Sequence, residues 1–433
     1  MMKRVLLFIT SLGFALVSMA QPAVPALDIE RQPQLSASNL LAYPGPTQSR
    51  LTPAPRGKKP FYLSHYGRHG SRHMTRLQDY DFVIDALQRA DYEDKLSPLG
   101  RDVLGRIRQL LADAHNRMGE LTPLGVQQHK DIARRMMERF PEVFRGDAVV
   151  EARSTIVVRC VLSMESTLQQ MLQMNPRLRI DDDASFHDMY FMNLTDRRLK
   201  EKVQSAEARR AYADYCDRHR NWQRVTAQLF NDTAWVSQYV NGERLTYFLF
   251  RLAGSIQNTS LADKVTLYDL FTPEELLDNW RMENASWFIG YSHTPLNGGT
   301  QPFTQRNLLR RIVEQADSCI RLPRPGATLR FGHETIVLPL ACLMGLNGLD
   351  APIACLDSLE QKGWVNYRIF PMACNIQMVF YRRNPADQDV LVKVLLNEDE
   401  ATLPLPTTQP PYYRWADVRQ YFLKKLDSYS EEN

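Results

Sequence analysis

Apolar and polar positions change period in a consistent order along the chain. The apolar run Phe61-Tyr62-Leu63 follows Pro60 and continues to Ser64-His65. Gly67 and Gly70 then break the pattern, which predicts a short strand opening into a loop. Ser97-Pro98 and Thr122-Pro123 each set an N-capping hydroxyl before a proline, the pairing that starts helices. Val149 to Arg153 predicts a second strand, and Ile156 to Leu172 the helix after it. From about residue 186 to 320, helical stretches rich in Tyr, Trp and Arg carry few strand signals. After Pro325, Thr328 to Gly332 predicts a strand leading into a helix near Glu334, while Ile376 to Arg382 and Val390 to Leu396 flank Asn384-Pro385 as an antiparallel pair would. Strand-loop-helix units at both ends of a helical middle predict an α/β domain (residues 58–165 and 322–433) interrupted by a mostly α-helical insert (166–321).

The N-terminus adds two segments. Lys3 and Arg4 precede a mostly apolar Val5 to Val17 and the small-x-small exit Ser18-Met19-Ala20. This predicts an export signal over residues 1–20, cleaved between Ala20 and Gln21, and a periplasmic or secreted protein. The apolar run is too short to span a bilayer, so no stable membrane insertion is expected after cleavage. Residues 21–57, rich in Pro, Ala, Ser and Gln without sustained periodicity, are expected to wrap the surface or act as a linker. The six cysteines fit either disulfides or small buried hydrophobes in that compartment; they show no CxxC pair or zinc spacing.

Charge narrows the class of partner. Fifty-three Lys and Arg against 49 Asp and Glu give +4 over 433 residues, which argues against a dedicated nucleic-acid binder. Locally the balance is very different. From Arg56 to Arg76 there are six basic residues and no acidic one, around Ser64-His65-Tyr66-Gly67-Arg68-His69-Gly70-Ser71-Arg72-His73. Guanidinium forks take phosphate oxygens bidentately, glycine lets the backbone approach, and an imidazole between them is a nucleophile for phosphorus. Two other readings exist for this loop. His65, His69 and His73 are spaced to line one face of a helix as metal ligands, but Gly67 and Gly70 oppose the helix and Arg68 and Arg72 repel a cation. A merely basic surface loop is the bland reading. Elsewhere, Ile180-Asp181-Asp182-Asp183 superficially resembles the Asp-x-Asp start of haloacid dehalogenase-type phosphatases, yet Pro176, Arg177 and Arg179 stand where that chemistry needs a long buried strand. The basic run from Arg197 to Arg224 reads either as a solvated helix face or as a wall for a polyanion.

Two further strand-to-helix turns accompany the first. Arg153-Ser154-Thr155 leads to Arg159 one helical turn on, and Arg330-Phe331-Gly332 leads to His333-Glu334. In this order the three segments resemble the histidine acid phosphatase family, the branch of the histidine phosphatase superfamily with an inserted α domain. The first is similar to its Arg-His-Gly-x-Arg-x-Pro signature, the second to its Arg-Ser-Thr-x-x-x-Arg segment, and the third to its His-Asp or His-Ala-Glu segment. Gly119 to Gly125, Asp269 to Thr272 and Trp287 to Tyr291 resemble further family stretches. Pro371-Met372-Ala373 and Val392 to Glu398 are similar to the C-terminal part of multiple inositol polyphosphate phosphatases. Met74 stands where the first signature has proline, and Glu334 follows His333 directly where the inositol polyphosphate branch has one residue between.

The resemblance implies a phosphoglycerate mutase-like α/β domain with a central mixed sheet. It implies His69 as nucleophile, forming a phosphohistidine, and Arg68, Arg72, Arg159 and His333 as holders of the phosphate oxygens. Glu334 is implied as the acid that protonates the leaving alkoxide and then activates water. No cofactor or metal is implied, because the arginines supply the positive charge. The expected partner is a small polyanion, inositol hexakisphosphate and lower inositol phosphates first, acted on by a monomer. The alternatives are a broad-specificity sugar- or aryl-phosphate acid phosphatase and a phosphate-binding module without turnover. His65, His73 and His129 are expected in structural or rim positions.

Overall fold

The computed structural model describes residues 24–430; the predicted export signal lies outside them. Eight strands form one mixed sheet: β1 (Lys59–Arg68), β2 (Val149–Ser154), β3 (Arg179–Asp183), β4 (Gly326–Gly332), β5 (Asn375–Arg382), β6 (Leu391–Leu396), β7 (Asp399–Ala401) and β8 (Tyr412–Arg414). The order is β3-β2-β4-β1-β5-β6-β7, with β8 also paired to β6. The β3, β2, β4 and β1 strands run parallel, and β5, β6 and β7 continue antiparallel. Every strand the sequence predicts is present, with β1 extending three residues past His65 to Arg68.

Period-2 alternation divides β1 between two cores. Leu63 packs with Val150, Leu329 and Val379 under the helices Pro123–Arg139 and Val158–Met174. Tyr62 and Tyr66 face the other way, toward the helix Glu334–Met344 and the C-terminal helix Trp415–Asp427. Both faces of the sheet are thus covered by helices, as a buried parallel sheet requires. The two predicted Ser/Thr-Pro starts are realised: Ser97 Oγ accepts from the Gly100 N–H and Thr122 Oγ1 from the Gly125 N–H.

Between β3 and β4 the described residues are helical and irregular, and much of this part packs in a separate core with Gln78–Tyr92 and Pro98–Asp113. One expected boundary falls inside an element. The helix Val158–Met174 runs through residue 165, and β3, inside the span 166–321, joins the sheet as an exposed, acidic edge. The segment before β1 is not a surface wrap throughout. Ser36 to Leu41 are buried, and Ile29, Ala37, Leu40 and Leu41 join the helical core. Their apolar residues are too sparse and too interrupted by proline to show a period. All six cysteines are unpaired, four of them buried. No helix among the described residues is long and apolar enough to cross a membrane.

Candidate active site

Three parallel strands deliver the predicted residues to one end of the sheet. Register places Arg68 opposite Gly332 and Ser154 opposite Phe331, so β1, β4 and β2 finish side by side. Carboxyl ends of adjacent parallel strands are where open α/β sheets bind ligands. Beyond them, His69 follows β1. Arg159 sits in the first turn of Val158–Met174, and His333 caps Glu334–Met344. Two helix N-termini therefore add their positive ends to the arginines.

The loop after β1 is fixed by backbone bonds to both neighbours: the His69 N–H donates to Gly332 O at 2.9 Å and the Ala373 N–H to His69 O at 2.9 Å. Gly70 lies against Gly125; a Cβ on Gly70 would stand 2.6 Å from Gly125 Cα, so the loop seats on the start of the Pro123–Arg139 helix only with glycine here. Ser71 completes the anchoring. Its N–H donates to Gln128 Oε1 at 2.8 Å, its hydroxyl donates to Asn258 Oδ1 at 2.7 Å, and its carbonyl accepts from the Thr122 N–H at 2.9 Å. Ser163 Oγ accepts from the Gly70 N–H at 3.1 Å. Gln128, Ser163 and Asn258 are not among the predicted residues, and Asn258 is fully buried.

His69 is buried, with Nδ1 2.8 Å from Gly70 O. A carbonyl only accepts, so Nδ1 carries the proton and Nε2 keeps its lone pair. Burial, then Arg68, Arg72, Arg159 and His333, push its pKa well below the ordinary histidine value, and the ring is neutral. The His333 ring meets it edge-on at 5.5 Å. Arg159 Nη2 lies 3.3 Å from His333 Nε2, and the guanidinium must be the donor there. His333 Nδ1–H is then buried without a protein acceptor, as are the Nε–H groups of Arg72 and Arg159. Buried donors are almost always satisfied, so unpartnered donors on three residues whose charge reaches His69 suit an anion.

Arg68 stands apart from the other two arginines. Nη2 donates to Glu334 Oε1 at 3.0 Å, Nε lies 3.0 Å from Glu334 Oε2, Nη2 donates also to Asn39 O at 2.8 Å, and Nη1 to Phe370 O at 3.0 Å. Most of its fork is committed within the protein. Burial works against the charge on Glu334, but Arg68, Arg72 and His333 outweigh it and hold the carboxyl at about 2. Burial pushes His333 down to about 4 despite Glu334 beside it.

His65, His73 and His129 are buried. His65 lies on β1 with its ring 5.3 Å from Phe331, whose other neighbour is His129 at 5.7 Å. Burial pushes His65 down to about 3 and His129 to about 4. His73 Nδ1 lies 3.8 Å from Asp113 Oδ2. Because β1 is extended through Arg68, His65, His69 and His73 share no helical face. In the basic run, Arg218, Arg220 and Arg224 pair with Asp357, Glu243 and Glu275.

A neutral, desolvated imidazole ringed by guanidinium groups at strand ends is an arrangement suited to an anion. The chain belongs to the histidine phosphatase superfamily (branch 2), whose sequence profile matches residues 68–397. Its fold is similar to that of the multiple inositol polyphosphate phosphatase of Bifidobacterium longum, solved in complex with inositol hexasulfate. That structure aligns with a TM-score of 0.76 at 17% identity, over 89% of this chain and 97% of that one. The D. castellii phytase aligns at a TM-score of 0.65 and 14% identity, over 91% and 85% of the two chains. The Hafnia alvei phytase aligns at 0.51 and 13%, over 86% and 98%.

Proposed function

We propose that this chain is an exported histidine acid phosphatase that hydrolyses phosphomonoesters through a phosphohistidine on His69, with inositol hexakisphosphate and lower inositol polyphosphates as substrates. The observation that carries the reading is the neutral His69, its Nδ1 tied to Gly70 O, beside the orphaned donors of Arg72, Arg159 and His333. Those donors take the non-bridging oxygens, whose charge the transition state spreads. His69 Nε2 attacks phosphorus as the bond to the leaving oxygen breaks, and Glu334 in its acid form gives that oxygen a proton. Glu334, now ionised, takes a proton from water; the water oxygen attacks phosphorus, the N–P bond breaks, and inorganic phosphate leaves with His69 restored.

In the free site Glu334 is ionised because Arg68 and Arg72 face it. A bound phosphate competes for the same positive charge and raises the proton affinity of the carboxyl, as a general acid needs. The inositol phosphate preference is supported by the Bifidobacterium longum and phytase neighbours, and export by the N-terminal pattern of residues 1–20.

Phosphate release from inositol hexakisphosphate and from an aryl phosphate by wild type and His69→Ala tests the reading. Release from the inositol ester by wild type, abolished in the variant, is expected, with an acid-labile phosphoenzyme in wild type alone. Equal or better efficiency on the aryl ester would overturn the substrate assignment; unchanged release by the variant would overturn the nucleophile.

A further inference from the structure

Asn39 makes three contacts that tie Glu334 to the helical part of the chain. Its amide Nδ2 donates to Glu334 Oε1 at 3.1 Å, its Oδ1 accepts from Arg251 Nη1 at 3.0 Å, and its backbone oxygen accepts from Arg68 Nη2 at 2.8 Å. Arg251 belongs to the helix Gly242–Ile256 and is itself paired with Glu283 Oε2 at 3.3 Å, whose Oε1 accepts from Tyr247 Oη at 3.0 Å. Chemistry fixes which way the amide points. A guanidinium only donates and a carboxylate only accepts, so turning the amide over would replace two attractive contacts by two repulsive ones.

The backbone around Asn39 is held on both sides. Ser38 has φ 55° and ψ −124°, a conformation that costs energy for any residue with a Cβ. It persists because Asn366 Nδ2 donates to Ser38 Oγ at 3.0 Å, and Asn366 is in turn fixed by Trp280 Nε1 at 2.8 Å. On the other side, Leu40 O accepts from Asn258 Nδ2 at 2.7 Å and Leu41 O from the Met372 N–H at 2.8 Å.

We infer that Asn39 is a positioning residue for Glu334: its amide N–H stabilises the carboxylate beside Arg68, and Arg251 locks that amide, so the helical part of the chain sets how readily the carboxyl takes a proton. The inference rests on the acid role proposed for Glu334. The charged and titratable groups around that carboxyl are Arg68, Arg72 and His333, with Tyr291, Cys160 and Cys374 also within its field and Arg251 behind Asn39. Loss of the amide donor removes one group that favours the ionised form, so the proton is held to higher pH. Asn39→Asp keeps the volume and the Arg251 contact but sets a second carboxylate against the first, with a larger effect of the same sign.

The pH profile of kcat is measured on inositol hexakisphosphate for wild type, Asn39→Ala, Asn39→Asp and Arg251→Met, with Glu334→Gln alongside. The expected result is a profile moved upward by roughly half to one pH unit in Asn39→Ala and by more in Asn39→Asp. A smaller move is expected in Arg251→Met, with KM changed less than kcat in the Asn39 variants. If Asn39→Ala does not fold, the isosteric Asn39→Asp carries the test. A profile that keeps its position in folded Asn39 variants, whatever their activity, overturns the inference alone. A wild type without turnover, or Glu334→Gln equal to wild type, overturns the proposed function and the inference with it.

Discussion

Both carboxylate oxygens of Glu334 face the guanidinium of Arg68, at 3.0 Å from Nη2 and 3.0 Å from Nε, with side chains 8% and 0% exposed. One residue begins a helix and the other ends β1, 266 positions apart. A pair so deeply buried is costly to break from one side, because the surviving charge is left in a poor solvent, at roughly 3–5 kcal/mol. Here the surviving charge would join Arg72 and Arg159 around the same site. The pair therefore stabilises the free site against its own positive charge and fixes the Glu334 carboxyl at the end of β1.

Glu334→Gln separates these two roles. Loss of the proton donor is expected to cost about 10²- to 10⁴-fold in kcat on an alkyl phosphate, whose leaving oxygen needs a proton. A nitrophenyl phosphate, whose leaving group departs as the anion, should lose far less. The same variant is expected to melt below wild type in phosphate-free buffer and to regain more stability than wild type when inorganic phosphate is added. Equal losses on the two esters would remove Glu334 from the role of acid.

Gly70 tests the seating of the loop. Gly70→Ala would press a methyl against the Gly125 backbone, which cannot move without disturbing the Thr122 cap on Ser71 O. Overpacking of this kind costs about 1–3 kcal/mol, and a displacement of the neighbouring His69 by a fraction of an ångström should cost kcat more than KM. Denaturant midpoints and steady-state kinetics on Gly70→Ala measure both. A variant with wild-type stability and turnover would show that the close approach of the two glycines is dispensable.

Much of this arrangement is legible in the sequence because local signals and chemistry coincide. The residues Arg68 to Arg72, Arg153 to Arg159 and Arg330 to Glu334 each combine a strand end, a turn and a cationic or titratable group, and parallel pairing brings all three to one end of the sheet. Asn39 carried no such signal. It lies in a proline-interrupted segment without period, and its importance comes from Arg68, Arg251 and Glu334, which are distant in sequence. Ser71, Gln128 and Asn258 were hidden for the same reason: each is an ordinary polar residue until the fold closes their hydrogen bonds. The pairing of Arg68 with Glu334 is likewise a tertiary fact.

Stability should fall as the solution is acidified, well before the carboxylates titrate. His129, His65 and His333 are held neutral by burial, at about 4, 3 and 4 against an ordinary value near 6.5. The unfolded chain binds protons below pH 6.5 that the folded chain refuses, so stability drops from there down to the folded values. For a shift like that of His129 the full loss is about 3 kcal/mol. Glu334 adds a loss of the same sign between about 4.3 and 2. Melting temperature recorded from pH 7 to pH 4 should decline, and His129→Asn should flatten the decline. A curve that is flat in wild type would mean that these rings are solvated.

Anion binding should take up protons. His333 at about 4 and Glu334 at about 2 are both unprotonated in the free site at pH 5.5, and a polyanion seated among Arg72, Arg159 and His333 raises the proton affinity of each. Inositol hexasulfate has no titratable group in this range, so any proton taken up comes to the protein. Calorimetric titration with it in buffers of different ionisation enthalpy should give an uptake of up to about one proton at pH 5.5, falling toward zero at pH 8. Glu334→Gln should lower the uptake, and His333→Asn should lower it further. Binding without uptake in wild type would mean that the proton for the leaving group enters on the substrate phosphate, and Glu334 would then serve to orient Arg68 rather than to supply a proton.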